Sequence, residues 1–428
     1  FEPKSRGLGD VYKRQMITLA ATGAALAGGA AILTAQPPLQ SGDSSVETAR
    51  DWYQWRGPSR DGVCRETGLN TDWDKKAPAL LWRAQGFGKG MSSIVIWDGK
   101  LFTMGAKGGT LMICRSLEDG GEIWEAEIPG GGDPNCTPTV DPRSGLVFGL
   151  SKDGELAAVK IADGSIAWTK SFRRDFGGKM MSGWGYSESP LIDGARLICT
   201  PGAEDGLLAA LDKTTGEVIW KTDVSDADLG DRGKDGAGYG SVVISNGGGV
   251  KQYVQLVGRG LVVVGAKDGR LLWSYNRIAN TTANIPTPVV SGDYVFGSTG
   301  YGDGGSALLE LSRDGDGVRA KEVYYYRAKE LQNHHGGMVL VDGHVYLGHG
   351  HNNGFPQCVE LESGDIKYEK ERGPGRQSAA IVYADGHLFY RYQDATMALV
   401  EATPDAYRLK GSFKIAAKHG ESWPHPVI

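Results

Sequence analysis

SPLIDGARLICTPGAEDGLLAALDKTTGEVIW, residues 189–220, is the stretch from which the fold is read. It breaks into four short strands. Residues 190–192 run into a turn at Asp193-Gly194, residues 196–200 return, residues 207–211 form a third strand, and residues 217–220 form a fourth entered through Thr215-Gly216. Asp-Gly and Thr-Gly between apolar runs are hairpin signals, because glycine supplies the positive φ that a tight turn requires. Strands this short bury one sheet face only, so the unit is unstable alone and must stack on copies of itself.

The copies are countable by their closing aromatics: Trp82, Trp124, Trp168, Trp220, Trp273, Tyr324, Tyr368 and Phe413, at intervals of 42 to 53 residues. Within the intervals the first hairpin recurs as WDGKLF, DPRSGLVF, IDGARLI, SGDYVF, VDGHVYL and ADGHLFY, and the third strand as GELAAVKI, GLLAALDK, ALLELS, CVELES and MALVEA. One unit departs, using an Asn246-Gly247 turn and a longer second strand. The period is that of a four-stranded, antiparallel propeller blade, so the class is all-β and the expected architecture is a β-propeller over residues 82–428. Seven units end at aromatics from Trp124 to Phe413, while Trp82, in APALLWRA, closes a unit with nothing before it and the final SWPHPVI opens one with nothing after it. Read as halves of one blade, they make eight, with the ring closed by pairing of Trp82 with residues 426–428. The middle strands of that last blade are absent from the sequence, which reads as truncated at its C-terminus.

Residues 1–15, FEPKSRGLGDVYKRQ, fit nothing that follows and read as non-native, with Met16 as the start. Residues 16–35 are apolar and uncharged, with small residues near the end, as in a signal peptide; a retained membrane anchor is the alternative. Residues 36–50 are a polar linker, and no Cys follows the apolar run as lipid modification would need. Residues 51–74, DWYQWRGPSRDGVCRETGLNTDWD, hold three Trp in a segment (51–81) that precedes the first blade. That density predicts packing across the propeller's side or end face, with Trp52, Trp55 and Trp73 in grooves between blades; an aromatic binding platform is the alternative.

Composition excludes several classes. The 65 Gly sit mostly at turns, and a net charge of -5 provides no basic field for nucleic acid. Five Cys without a CxxC pair make neither a zinc knuckle nor a disulfide framework, and Cys114, Cys199 and Cys358 fall in strands as small buried hydrophobes. There is no GxSxG for nucleophilic hydrolysis. A monomer is expected.

WRGPSRDG, SPLIDG with LLAALDKTTGEVIW, and NHHGGMVLVDGHVYLGHGHNNGFP together resemble the PQQ-binding-like β-propeller repeat proteins, relatives of quinoprotein alcohol dehydrogenases and of the outer-membrane assembly factor with the same propeller. Chains with WRGPxRDG after an export signal resemble exported members from planctomycete-type bacteria. The resemblance covers essentially residues 51–428, implies eight blades and a periplasmic or otherwise exported location, and leaves the activity open.

Loops between blades, and between second and third strands, converge on one mouth of a propeller's channel, the default place for a site. Three readings compete there. A calcium and PQQ site, as the resemblance implies, would draw on Glu188 as a ligand, Trp184 for stacking and Arg376 for a cofactor carboxylate or carbonyl, with Tyr186, Asn284 and Gln377 on the same face as further cofactor-binding candidates. The sequence lacks the adjacent Cys pair and the CxxCH haem site of many such dehydrogenases. A metal site would use His334, His335, His349 and His351, with Asn352, Asn353 and His425 nearby. The third reading is a non-catalytic scaffold that binds a protein, a peptide or a small ligand, with the His and Asn side chains bonded to glycine-rich loops. It requires no catalytic constellation, and the sequence contains no complete one.

Overall fold

The structure, a computed structural model, describes residues 51–368, 370–415 and 422–428. The expected non-native stretch, signal peptide and linker lie outside the described residues.

The unit at residues 189–220 folds as read. Leu191–Asp193, Arg196–Cys199, Ala209–Asp212 and Val218–Lys221 form one antiparallel sheet. Leu197 faces Leu211 across the central pair, and the turns rest on Gly194 and Gly216 at φ 62° and 74°. The described residues contain seven such sheets in chain order, spanning 95–128, 139–171, 191–221, 243–275, 289–327, 333–360 and 379–414. Their short first strands neighbour one another: Val95–Trp97 lies beside Thr139–Asp141, which lies beside Leu191–Asp193. The sheets are therefore blades around an axis. Among the described residues a single one-turn α-helix, Phe172–Phe176, is capped by Ser171 and stopped by Gly177 at φ 66°. No helix among the described residues is long and apolar enough to cross a membrane.

What joins blade to blade is the closing aromatic. Each of Trp82, Trp124, Trp168, Trp220 and Tyr324 lies flat over a glycine in the turn before the fourth strand of the next blade: Gly120, Gly164, Gly216, Gly269 and Gly364. A Cβ on any of these glycines would stand about 2.3–3.0 Å from the ring. The indoles of Trp124 and Trp168 also donate to Ile161 O and Lys213 O of the neighbouring blade, both at 3.0 Å. The cysteines are all free and buried, as expected of small hydrophobes.

Three expectations need correction. The sixth sheet has three strands, because its fourth is reduced to a bridge between Val359 and Ile366. Trp82 belongs to no strand and shares no ladder with residues 426–428, although its ring docks on Gly120 in the manner of the other closing aromatics. Residues 422–428 lie instead between the first and seventh blades: His425 N–H donates to Ser93 Oγ at 2.7 Å, and Arg391 donates to Pro424 O at 3.0 Å.

The third correction concerns WRGPSRDG. It does not lie on the outside; it fills the channel. Trp52 pairs with Ile96 in the first blade, and Tyr53 O accepts from Val140 N–H in the second at 2.8 Å. Arg60 donates to Ser189 O and Pro190 O at the third, at 2.7 and 3.1 Å. The Trp55 indole reaches Thr287 of the fifth, Arg56 reaches Met338 O of the sixth, and Gly62 and Cys64 bond Tyr383 of the seventh. Only a segment on the axis can touch so many blades. Its tight turn depends on Gly57 and Gly62, at φ 85° and 76°, where added Cβ atoms would meet the Trp52 ring and the Arg56 guanidinium. Trp73 does pack on the outside, between Phe389 and Phe413 of the seventh blade.

Candidate functional site

Above this plug, on the loop face, opens a cavity of about 480 Å³, within the usual range for small-molecule sites. Trp55 and Arg56 form its floor. Around them runs a belt of hydroxyls, Ser93, Thr137, Ser189, Ser241 and Thr287, each two residues before the first strand of its blade. The last four oxygens are each held by the backbone N–H of the preceding member: Ser93 donates to Thr137, Thr137 to Ser189, Ser189 to Ser241, and Ser241 to Thr287, at 3.0–3.2 Å, while Ser93 Oγ accepts from His425 N–H. The belt thus satisfies inner-strand amides that have no ladder partner, and its hydroxyls line the cavity. Trp184, Tyr239, Tyr301 and Trp423 form the walls.

Of the histidines considered from sequence, His334, His335 and His351 line the cavity together, joined by His425. Their rings cluster at tilted angles: His334 lies 3.8 Å from His335 and 4.4 Å from His351, centroid to centroid. Among the described residues no three His, Cys, Asp or Glu side chains are arranged to hold one metal ion. His349 stands apart from the cavity lining, buried, with Nδ1 accepting from Gln332 N–H at 3.2 Å. Burial holds the His334, His335 and His425 imidazoles neutral, lowering His334 to about 2 and the other two to about 3. Asn352 lines the cavity, whereas Asn353 turns its amide to His351 O at 2.9 Å.

The residues weighed for a calcium–quinone site do not meet. Trp184 stands at the cavity wall, 47% exposed, but Tyr186 is buried with its hydroxyl on Pro201 O at 2.9 Å. Asn284 staples a loop, donating to Val257 O and Gly258 O. Arg376 and Gln377 are exposed and outside the lining. Glu188 is buried among Thr200 and Gln255, accepting from Thr200 N–H at 2.7 Å, Thr200 Oγ1–H at 2.8 Å and Gln255 Nε2–H at 3.2 Å. These donors leave its oxygens facing the protein. This donor set does not fit the cofactor, and no step through it follows.

Burial pushes the Glu188 carboxyl up to about 7, against the Thr200 hydrogen bonds and the Arg60 charge that hold it down. Its folded value lies above the unfolded one, so its contribution to stability is complete below the ordinary carboxylate range and is lost as pH rises through about 7. The loss amounts to about 3 kcal/mol. Urea midpoints of the wild type should therefore fall between about pH 5 and about pH 8, and Glu188→Gln should remove that decline. Equal declines in both proteins would show that another group titrates.

A family model described as outer membrane protein assembly factor BamB matches residues 69–171 and 107–370, more than half of the chain. The chain belongs to this family of PQQ-like propeller repeat proteins. Similarity to solved members of the propeller class is structural rather than sequential. BamB from Moraxella catarrhalis superposes with a TM-score of 0.52 at 13% identity, over 76% of this chain and 85% of its own. Quinohemoprotein alcohol dehydrogenase from Comamonas testosteroni gives 0.57 at 12%, over 87% of this chain and 74% of its own. The corresponding enzyme ADHIIG from Pseudomonas putida HK5 gives 0.56 at 13%, over 86% and 73%. At such identities the likeness establishes the fold alone. No curated protein sequence matches the chain.

Sequence reasoning missed the floor and the belt of this BamB-family propeller. A signal was present in the repeat, since a Ser or Thr stands at one fixed place ahead of each of the first five blades. The entry of Trp55 and Arg56 into the channel had no such signal, because nothing local in WRGPSRDG says what surrounds it.

Proposed function

We propose that this protein is an exported, non-catalytic propeller that binds a protein, peptide or small ligand at its plugged channel mouth. The observation that carries the reading is the cavity itself. It has aromatic walls, a closed floor and belt hydroxyls. The apolar stretch at residues 16–35 supports export, and the family description, an outer-membrane assembly factor, supports a binding role.

The test uses phenylacetamide, a neutral aromatic probe, and the intrinsic fluorescence of the lining tryptophans. Saturable quenching is expected, and Trp184→Ala should weaken it about tenfold by removing an aromatic wall. Unchanged binding in that variant would place the ligand elsewhere. Calcium-dependent dye reduction by an alcohol in the presence of PQQ would replace this reading with a dehydrogenase.

A further inference from the structure

We propose that the cavity contains a carboxylate subsite built on the Arg56 guanidinium, and that the ligand is an acid carrying its carboxylate beside an aromatic or apolar group. The inference rests on the binding reading above and specifies the ligand's chemistry.

Arg56 is 4% exposed and forms part of the cavity floor. Its Nη2 donates to Asp61 O at 2.9 Å and to Met338 O, whereas Nη1 has no partner. Asp61 is the nearest opposite charge, but its Oδ1 accepts from Val63 N–H at 2.9 Å, and Arg56 receives only its backbone carbonyl. Among the described residues no carboxylate lies within ion-pair distance of Arg56. Burial lowers its pKa to about 10, so it remains a cation at neutral pH. A buried guanidinium with a free donor and no bonded anion is costly, and a ligand carboxylate would offset that cost.

The belt ends after the fifth blade, with Gly337 in the sixth and Ala380 in the seventh at the matching place, and Nη1 sits at the first of these. Val339 pairs with Tyr346 as Val95 pairs with Phe102 and Val289 with Phe296. Two residues earlier the sixth blade has Gly337, at φ 73°, where the first and fifth have Ser93 and Thr287. A Cβ at Gly337 would stand 2.1 Å from Arg56 Nη1 and 3.0 Å from the His425 ring. The side chain omitted from the belt leaves the guanidinium its place. Trp423 Nε1, His334 Nε2 and His425 Nδ1, from the same lining, are likewise buried without partners. An indole N–H can only donate, so an acceptor oxygen answers it as well as Nη1. The rim charges, Lys152 and Asp133, are of opposite sign.

The test compares phenylacetate with phenylacetamide, and acetyl-Gly-Gly-Phe with its C-terminal amide, by calorimetry and tryptophan quenching on the full chain. Each acid should bind about tenfold or more tightly than its amide, as expected for a charge-assisted pair. Arg56→Lys, checked by its melting curve, should bring acid and amide to near parity. Trp423→Phe, which keeps the ring and removes the donor, should narrow the preference without touching the plug. Tighter binding of the peptide acid would support the subsite with a chain end as its source, and tighter binding of phenylacetate would support it with a small acid. Equal binding of acid and amide would overturn the subsite and leave the binding reading standing. Failure of all four probes at millimolar concentration would overturn both.

Discussion

Arg60→Ala is expected to lower stability by about 3 to 5 kcal/mol, seen as a large fall in the urea midpoint. Arg60 is 4% exposed, and its guanidinium holds three groups at once: Ser189 O at 2.7 Å, Pro190 O at 3.1 Å and Gln54 Oε1 at 3.2 Å. It also faces the buried Glu188 carboxylate. Alanine would strand the Ser189 carbonyl and the Gln54 amide oxygen away from water, leave Pro190 O with only its bond from Thr139 Oγ1–H, and remove the positive charge that favours ionised Glu188, whose carboxyl would then rise further. The loss should accordingly be greater at about pH 8 than at about pH 5, and adding Glu188→Gln should recover part of it. A loss below about 1 kcal/mol would mean that the plug is not held by this residue.

Trp220→Ala should cost a similar amount, about 3 to 5 kcal/mol. The indole is 8% exposed, 6.1 Å from the Tyr253 ring, and covers Gly269 of the next blade so closely that a Cβ there would lie 2.3 Å from it. Removing it opens a cavity between two blades, where rigid sheets cannot collapse to fill the space. Gly269→Ala tests the same contact from the other side, with the added strain of φ 72°. Urea melts that show Trp220→Ala within about 1 kcal/mol of wild type would mean that the closing aromatic does not join the blades.

The blades were legible because each is a local object. Alternating apolar residues, an Asp-Gly or Thr-Gly turn and a closing aromatic all fall within about 50 residues, and their physics is that of a hairpin. The cysteines' burial and the docking of Trp73 followed from residue type in the same way. The sixth blade's missing ladder strand was less visible, since IKYEK around Tyr368 carries the aromatic without the pairing.

The site belongs to the tertiary structure. Glu188, Asn284 and Tyr186 have the residue types of ligands, yet each finds its hydrogen-bond partners in the protein, and whether a polar side chain faces a cavity or a neighbour depends on elements distant in sequence. His349 and His351 are two apart, but His351 is in the loop beyond the strand, so only His351 meets the His334 ring while His349 accepts from the Gln332 amide. The sequence alone determined a ring of stacked four-strand units with loops gathered at one mouth, because periodicity and turn chemistry are properties of neighbouring residues. Only the folded ring determined that WRGPSRDG threads the axis and places an unpaired guanidinium under that mouth, because a channel exists only once the blades have closed around it.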